Sequence, residues 1–450
     1  MQAISSIGHS SKKKKRHEHK LLALRAGFLD LRWPPQRRLW RRPWRAPRAR
    51  EGVWRRSKKS ARSAKNLCSW RFFFFWISSI AHGISAAGSL GPTSTGSDAL
   101  LDYSALKESL RTRGHVRVPL GAGASPEVAE RIARALTHCE AGGGQYNAGG
   151  GVHRGSLEGS AFLDAAEGAP ASLRIQPHNE MAYSSRFPEC VSFFMMQSRV
   201  LSGGLTELYD NLKLTRRLAE TAEGALVLAK MTALGIQYVR LLHDEADRKR
   251  PGFYASWETS FSVDDFDEAL RKANSSKDSF ALACDDACCE KYVSLGMPAP
   301  RMQVVTWAPS MVTHPNLGEI VFTSVLNRHA SWLDGHEVFD RLPYTARPYH
   351  CRWGDGAELT KREVDVIRSA YDDCKMQLKL QSGDLIVLDN LYVSHGRAPF
   401  VPGPERRLMG LLIGNMMERE ESRSMPPPEY VIAKEHAQGI ASRPDIIVAS

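Results

Sequence analysis

The chain has 450 residues, 42% of them apolar and 24% charged, enough to bury a sizeable core. Its net charge of +12 is unevenly spread: residues 1–66 carry 21 Lys/Arg against 3 Asp/Glu, and the rest carry 40 against 46. The body is mildly acidic, which removes the electrostatic case for nucleic-acid binding by the folded domain.

Residues 1–66 hold dense basic blocks at 12–16 and 37–56, with Trp33, Trp40, Trp44 and Trp54 among them. Like charges in a run repel each other and build no core, so this segment reads as a disordered arm. Residues 67–97 form an apolar segment and linker. Phe72-Phe73-Phe74-Phe75-Trp76-Ile77 is followed by small residues at Ala86-Ala87-Gly88-Ser89. That is the make-up of a targeting leader for an organelle or the secretory route, against a cytoplasmic alternative. It falls short of the ~20 apolar residues of a spanning helix, and no integral membrane span is expected elsewhere.

Residues 98–425 read as one domain. Helical periodicity runs from Pro126 to His138, with Ser125 as N-cap and Pro126 where a missing N–H costs nothing. Glycine clusters at 142–144 and 149–151 turn the chain before His153-Arg154. Strand signals lie at 191–196, 302–307, 319–326, 385–388 and 407–413, and helical ones at 212–230 and 358–373. Residues 236–300 read as an irregular, charged insertion or lid, with 257–261 as an apolar island. The tail, 426–450, reads as loosely attached. Short strands dominate, so the expected class is β-rich α+β: an antiparallel sandwich or barrel with flanking helices.

The eight cysteines show no framework spacing, which points to reduced thiols. Around Cys284, Cys288 and Cys289 no further ligands complete a zinc site.

Three His-x-Glu pairs occur, where about one or two are expected by chance. His138/Glu140 ends a helix, where residues two apart diverge by about 200°. His243/Glu245 sits in a charge run without a strand pattern. His178/Glu180 precedes a β-type run, and on a strand residues i and i+2 share a face, so both could reach one cation. Two ligands hold a transition metal poorly. His395 follows an apolar run through Asp389-Asn390 and precedes Gly396-Arg397. Two histidines and a carboxylate make a facial triad with open positions on Fe(II).

The ordered set Pro177-His178-Asn179-Glu180-Met181, Gly203-Gly204-Leu205-Thr206, Gly383-Asp384 to Asp389-Asn390, His395-Gly396-Arg397-Ala398-Pro399-Phe400 and Arg406-Arg407 resembles the taurine dioxygenase (TauD/TfdA) and clavaminate synthase-like family of Fe(II)/2-oxoglutarate oxygenases. The resemblance covers residues from about Tyr146 to Asn415. It implies a double-stranded β-helix (jelly-roll, cupin-like) core. It further implies that His178, Glu180 and His395 hold iron and that Thr206 bonds 2-oxoglutarate. One arginine of Arg406-Arg407, with Arg407 favoured, would pair with the distal carboxylate, to which its planar fork is matched. The implied reaction uses O₂ and 2-oxoglutarate, releases succinate and CO₂, and hydroxylates an unactivated C–H of a small polar molecule. Glu180 stands where many relatives carry Asp; a carboxylate there argues against a halogenase-like variant. Arg154, Tyr183, Trp257 and Asn327 are the candidates for substrate contact. Two other readings compete: a catalytically silent β-barrel that binds partners, and an oxygenase acting on a macromolecule through the basic arm. The sequence leaves the oligomeric state open.

Overall fold

The computed structural model describes residues 101–137, 157, 160–165, 170–247, 255–404, 408–419 and 426–441. The basic arm, the apolar segment and the residues His138, Arg154, Arg406 and Arg407 lie outside this set.

Two antiparallel sheets carry the core. The longer runs in the order His115–Pro119, Asp384–Asp389, Cys190–Gln197, Leu408–Ile413, Leu163–Asp164. Alternate residues of a strand face opposite sides. Val116, Val118, Phe194, Leu385 and Val387 therefore face one way, onto the helices Tyr103–Arg113 and Pro126–Thr137. The second helix buries Ala129, Ile132, Ala133 and Leu136, a stripe at helical spacing. Val191, Phe193, Met195, Ile386 and Leu388 face the other way and pack with Leu208 and Val393 of the shorter sheet. That sheet runs Lys375–Leu378, Thr206–Asp210, Val393–Arg397, Ile175–His178.

A third sheet runs Ser279–Ala283, Met302–Ala308, Ile236–His243, Tyr349–Trp353, with Ala255–Ser256 pairing alongside. The expectation of irregular chain from residue 236 is therefore corrected. Ile236–His243 is an inner strand buried at every position. With both faces covered, the run shows no apolar–polar alternation. Its polar members are accommodated within the fold; Gln237, for example, donates through Nε2 to Gly354 O at 2.8 Å.

Smaller differences have local causes. The helix expected over 212–230 is two, Asn211–Ala219 and Ala222–Leu234, because Thr221 caps the second by accepting from Gly224 N at 3.0 Å. The strand expected over 319–326 ends at Val321, and Val325–Arg328 is a short helix. Cys190, Cys289, Cys351 and Cys374 are free thiols as expected, whereas Cys284 is disulfide-bonded. Among the described residues no helix is long and apolar enough to cross a membrane.

The tail also departs from expectation. Pro428–Ala441 is a helix whose Tyr430, Ala433 and Ala437 form a stripe packed on Phe280, Val305 and Trp307 of the third sheet. The Tyr430 hydroxyl donates to the Asp278 carbonyl, and Lys434 Nζ donates to Ser279 O at 3.0 Å. Tyr430 is 1% exposed. Tyr430→Ala is expected to cost about 3 kcal/mol in urea unfolding; a loss under about 0.5 kcal/mol would mean the helix is only loosely held.

Candidate metal centre

Among the described residues Ile175–His178 is an edge strand of the shorter sheet, paired only with Val393–Arg397. An edge tolerates Pro177, which has no N–H to give a ladder. His178 stands opposite His395, and Ile175 opposite Arg397, with an irregularity between. Gly396 lies at that irregularity: a Cβ there would meet Ile175 O at 2.6 Å, so the backbones come together only because the residue is glycine. Opposed residues of an antiparallel pair share a face. The two imidazole rings accordingly lie with centroids 4.4 Å apart at 51°.

Glu180 reaches the same place by a different route from the one the spacing suggests. The strand ends at His178, and Glu180 opens a turn in which Met181 takes φ 57°, uncommon for a residue with a side chain. Buried amides fasten this turn. Asn390 accepts from Glu180 N at 2.8 Å and donates to Glu180 O at 3.1 Å and Pro188 O at 2.8 Å. Asn179 donates to Asn390 O at 2.6 Å and accepts from Thr323 N at 3.1 Å. Its backbone N–H bonds Thr323 O at 3.1 Å, and its carbonyl accepts from Ser324 Oγ at 2.9 Å. Ser394 Oγ lies 3.0 Å from Asn179 Oδ1 and 2.6 Å from Asn211 Oδ1; its single proton serves one of them.

The outcome is Glu180 Oε2 at 3.9 Å from His178 Nε2 and 3.7 Å from His395 Nε2. Among the described residues this is the one group of three or more His, Cys, Asp or Glu whose ligand atoms all lie within 4.8 Å of one another. His178 Nδ1 lies 2.9 Å from Gln176 O. A proton held there leaves the Nε2 lone pair turned towards Glu180. Burial, then the neighbouring His395, pushes the His178 imidazole down to about 3, against the opposing pull of Glu180 and the Gln176 bond. The charge of Arg328 acts in the same downward direction. At neutral pH the ring is therefore uncharged, which is the form that binds a metal. His395 packs against Phe193, ring centroids 4.9 Å apart. The residues fit a divalent ion: adjacent ligands of an octahedron with ~2.1 Å bonds are ~3 Å apart, a contraction of under ~1 Å from each of the two Glu180–His separations.

Residues 80–412 match the profile of the Taurine catabolism dioxygenase TauD, TfdA family. The chain belongs to that family. The family takes its name from a dioxygenase, and the three converging side chains are a donor set able to hold a divalent ion. The dapdiamide synthesis protein DdaC of Enterobacter agglomerans is 26% identical over 235 residues, 51% of this chain and 63% of that protein. The match thus spans somewhat less than two thirds of DdaC. A clavaminate synthase-like protein of Arabidopsis thaliana is 25% identical over 264 residues, 58% of this chain and 72% of that one. Among solved structures, PvcB of Pseudomonas aeruginosa is 14% identical with a TM-score of 0.35, covering 73% of this chain and 84% of that one. Asparagine oxygenase, solved with Fe(II), 3-hydroxyasparagine and succinate, is 12% identical with a TM-score of 0.38, covering 70% and 78%. At these scores the superpositions are loose, and membership rests on the sequence match.

Within this TauD/TfdA-family chain the expected site residues fall into four groups. His178, Glu180 and His395 come together. Thr206 is buried and stands opposite Arg397, hence on the same sheet face as His395 and two residues along. Tyr183 follows Glu180 in the same turn, and Asn327 is buried on the short helix packed against the His178 strand. Trp257 lies elsewhere, among Leu242, Leu270 and Phe266, with its indole N–H on Asp244 at 2.7 Å. Arg154, Arg406 and Arg407 lie outside the described residues. His243, expected in a solvated charge run, is instead 1% exposed at the end of a buried strand. Sequence reasoning missed Asn179 and Asn390 as fasteners and Arg240 and Arg328 as buried or half-buried cations near the turn. An arginine inside the apolar run Ile236–His243 was the available signal for Arg240.

Asn390→Asp replaces a donor by an acceptor facing two carbonyls. It is expected to cost about 3 kcal/mol in urea unfolding and to weaken Fe(II) binding; an unchanged midpoint and affinity would contradict the fastening role. The folded His178 value lies below the ~6.5 of an unfolded imidazole, so the metal-free fold binds fewer protons than the unfolded chain. Its stabilising contribution is full above pH ~6.5 and is lost as pH falls towards 3. Urea midpoints of metal-free protein should drop from pH 7 to 5 by the equivalent of about 2 kcal/mol for this group, a share that His178→Leu removes.

Proposed function

We propose that His178, Glu180 and His395 hold Fe(II), that Thr206 bonds 2-oxoglutarate, and that Arg407, with Arg406 as its alternative, pairs with the distal carboxylate. The chain then hydroxylates an unactivated C–H of a small polar molecule. The convergence of Glu180 Oε2 on the Nε2 atoms of both histidines carries this reading. We further read the longer and shorter sheets as the two halves of a double-stranded β-helix, with residues 98–425 as the oxygenase domain. That one relative, DdaC, is a dapdiamide synthesis protein favours small-molecule chemistry over a macromolecular substrate.

Iron in this site would couple oxidative decarboxylation of 2-oxoglutarate to hydroxylation, so that 2-oxoglutarate, O₂ and R–H give succinate, CO₂ and R–OH. The chain's own part is positional. Gln176 O fixes the His178 tautomer through Nδ1. The Asn179–Asn390 amides hold Glu180 in place. Phe193 and the inter-sheet apolar residues keep bulk water from the donors.

Purified full-length protein is expected to release succinate from 2-oxoglutarate only when Fe(II) is present, and His178→Ala to abolish both release and tight Fe(II) binding. Full turnover by that variant would sink the assignment. Removal of residues 1–97 with unchanged turnover on a small molecule would discard a macromolecular substrate docked by the basic arm.

A further inference from the structure

Ile175–His178 brings a metal donor to the shorter sheet but is weakly tied to it. Among the described residues it pairs with one neighbour, and that ladder is irregular between His395 and Arg397. Pro177 has no N–H to add to it. A functional side chain has to be held within about 0.5 Å of its working place. So short and broken a ladder does not secure that by itself.

On the other face of the sheet one carboxylate gathers the strands. Glu207 directly follows Thr206 and is fully buried. Arg174, the residue before Ile175–His178, donates through Nη1 to both of its oxygens, at 2.9 and 2.8 Å. Gln377 Nε2, from the outer strand Lys375–Leu378, donates at 2.8 Å, and the Tyr209 hydroxyl donates at 3.0 Å. Val393–Arg397 lies between the strands of Glu207 and His178, so the Arg174 side chain has to cross it. The residue of that middle strand opposite Glu207 is Gly396, which offers no side chain to block the crossing. Arg174 is also held at its carbonyl, which accepts from the Trp332 indole N–H at 2.6 Å. The approach to His178 is thus anchored two strands away, to a carboxylate directly behind Thr206.

We propose that Arg174 and Glu207 are positioning residues for the metal centre: their ion pair, spanning the middle strand at Gly396, fixes the strand of His178 against those of His395 and Thr206. A buried ion pair is an inefficient source of stability, because desolvation offsets the attraction and apolar residues of like volume often serve as well. What this pair supplies is registry. Its bonds are directional, and a shifted strand would leave the Glu207 oxygens short of donors in a place that water does not reach. The Arg174 side chain is 33% exposed, so its charge can be hydrated without a partner, whereas that of Glu207 cannot. The proposal rests on the reading of His178, Glu180 and His395 as the iron site.

The test is Fe(II) binding to full-length protein by equilibrium dialysis without O₂, beside thermal unfolding of the metal-free forms. Arg174→Met strands a buried carboxylate, so it should lower both the melting temperature and the Fe(II) affinity. Adding Glu207→Gln removes the stranded charge and leaves an acceptor for the Tyr209 hydroxyl. The double variant Arg174→Met/Glu207→Gln should therefore recover much of the melting temperature while still binding Fe(II) roughly ten-fold or more weakly than the parent. Arg174→Lys, which keeps the charge but not the fork, should lie between parent and Arg174→Met in affinity. Tyr430→Ala, destabilised at the distant C-terminal helix, should bind Fe(II) as the parent does, which separates positioning from general loss of stability. Fe(II) affinity within about two-fold of the parent in the folded double variant would overturn the proposal. So would an equal loss of affinity in Tyr430→Ala. Should the double variant not fold, Glu207→Gln alone decides: roughly three-fold weaker Fe(II) binding is expected, and parent-like binding overturns the proposal. Failure of the iron reading would show separately, as Fe(II) binding that survives His178→Ala.

Discussion

Asn179 and Asn390 hold together two parts of the chain that lie more than two hundred residues apart, and the donor set depends on them. Each side chain offers donors and an acceptor in one plane. In this fold they satisfy the backbone of the Glu180 turn on one side and of the Asn390–Val393 segment on the other. A buried amide is costly when unmatched, by about 1–3 kcal/mol for each missing bond, and cheap when matched. That asymmetry makes the arrangement discriminating. Small displacements of the turn would strand several polar atoms at once, so the carboxylate is held to one position relative to both imidazoles. The same set reaches Thr323, Ser324 and Tyr238, tying the third sheet into the fixture.

Around that fixture the two core sheets supply the dielectric. The His395 face of the shorter sheet looks onto Phe193 and its apolar neighbours, which raises the cost of a charged imidazole and keeps His178 ready to donate its lone pair. The opposite face carries a separate polar set. Glu207, fully buried, pairs with Arg174 at 2.8 Å and accepts from Tyr209 and Gln377. Strand alternation thus keeps a structural ion pair and the metal donors in adjacent residues of one sheet without mixing their charges.

Several candidate site residues carry local marks in the sequence: a proline before His178, a glycine after His395, a glycine pair before Thr206. These marks reflect backbone constraints that a single sequence displays, such as the close approach at Gly396 and the positive φ values at Gly203 and Gly204. The core strands 191–196 and 385–388 were legible as near-continuous apolar runs, the pattern of strands covered on both faces. Ile236–His243 was not, because Gln237, Arg240 and His243 break its run without making an alternation. Nor was the route of Glu180: a two-residue spacing describes a strand face and a capped turn equally well, and only tertiary amide bonds choose the turn. The docked Pro428–Ala441 helix was hidden because its stripe of one tyrosine and two alanines is weakly apolar, and its partner surface is assembled from strands far away in sequence.

The order of the donors along the chain has a consequence for how the molecule is made. Synthesis proceeds from the N-terminus, and domains acquire structure as they emerge. A nascent chain that has reached residue 390 exposes His178 and Glu180 but neither His395 nor the strand that places it beside them. Two donors on an unfastened turn are a weak trap for a redox-active ion. The third donor arrives on the same strand that closes the shorter sheet between Thr206–Asp210 and Ile175–His178. With iron held as proposed, tight capture of the ion would therefore await the strand that carries His395, and a half-built polypeptide would hold it only loosely.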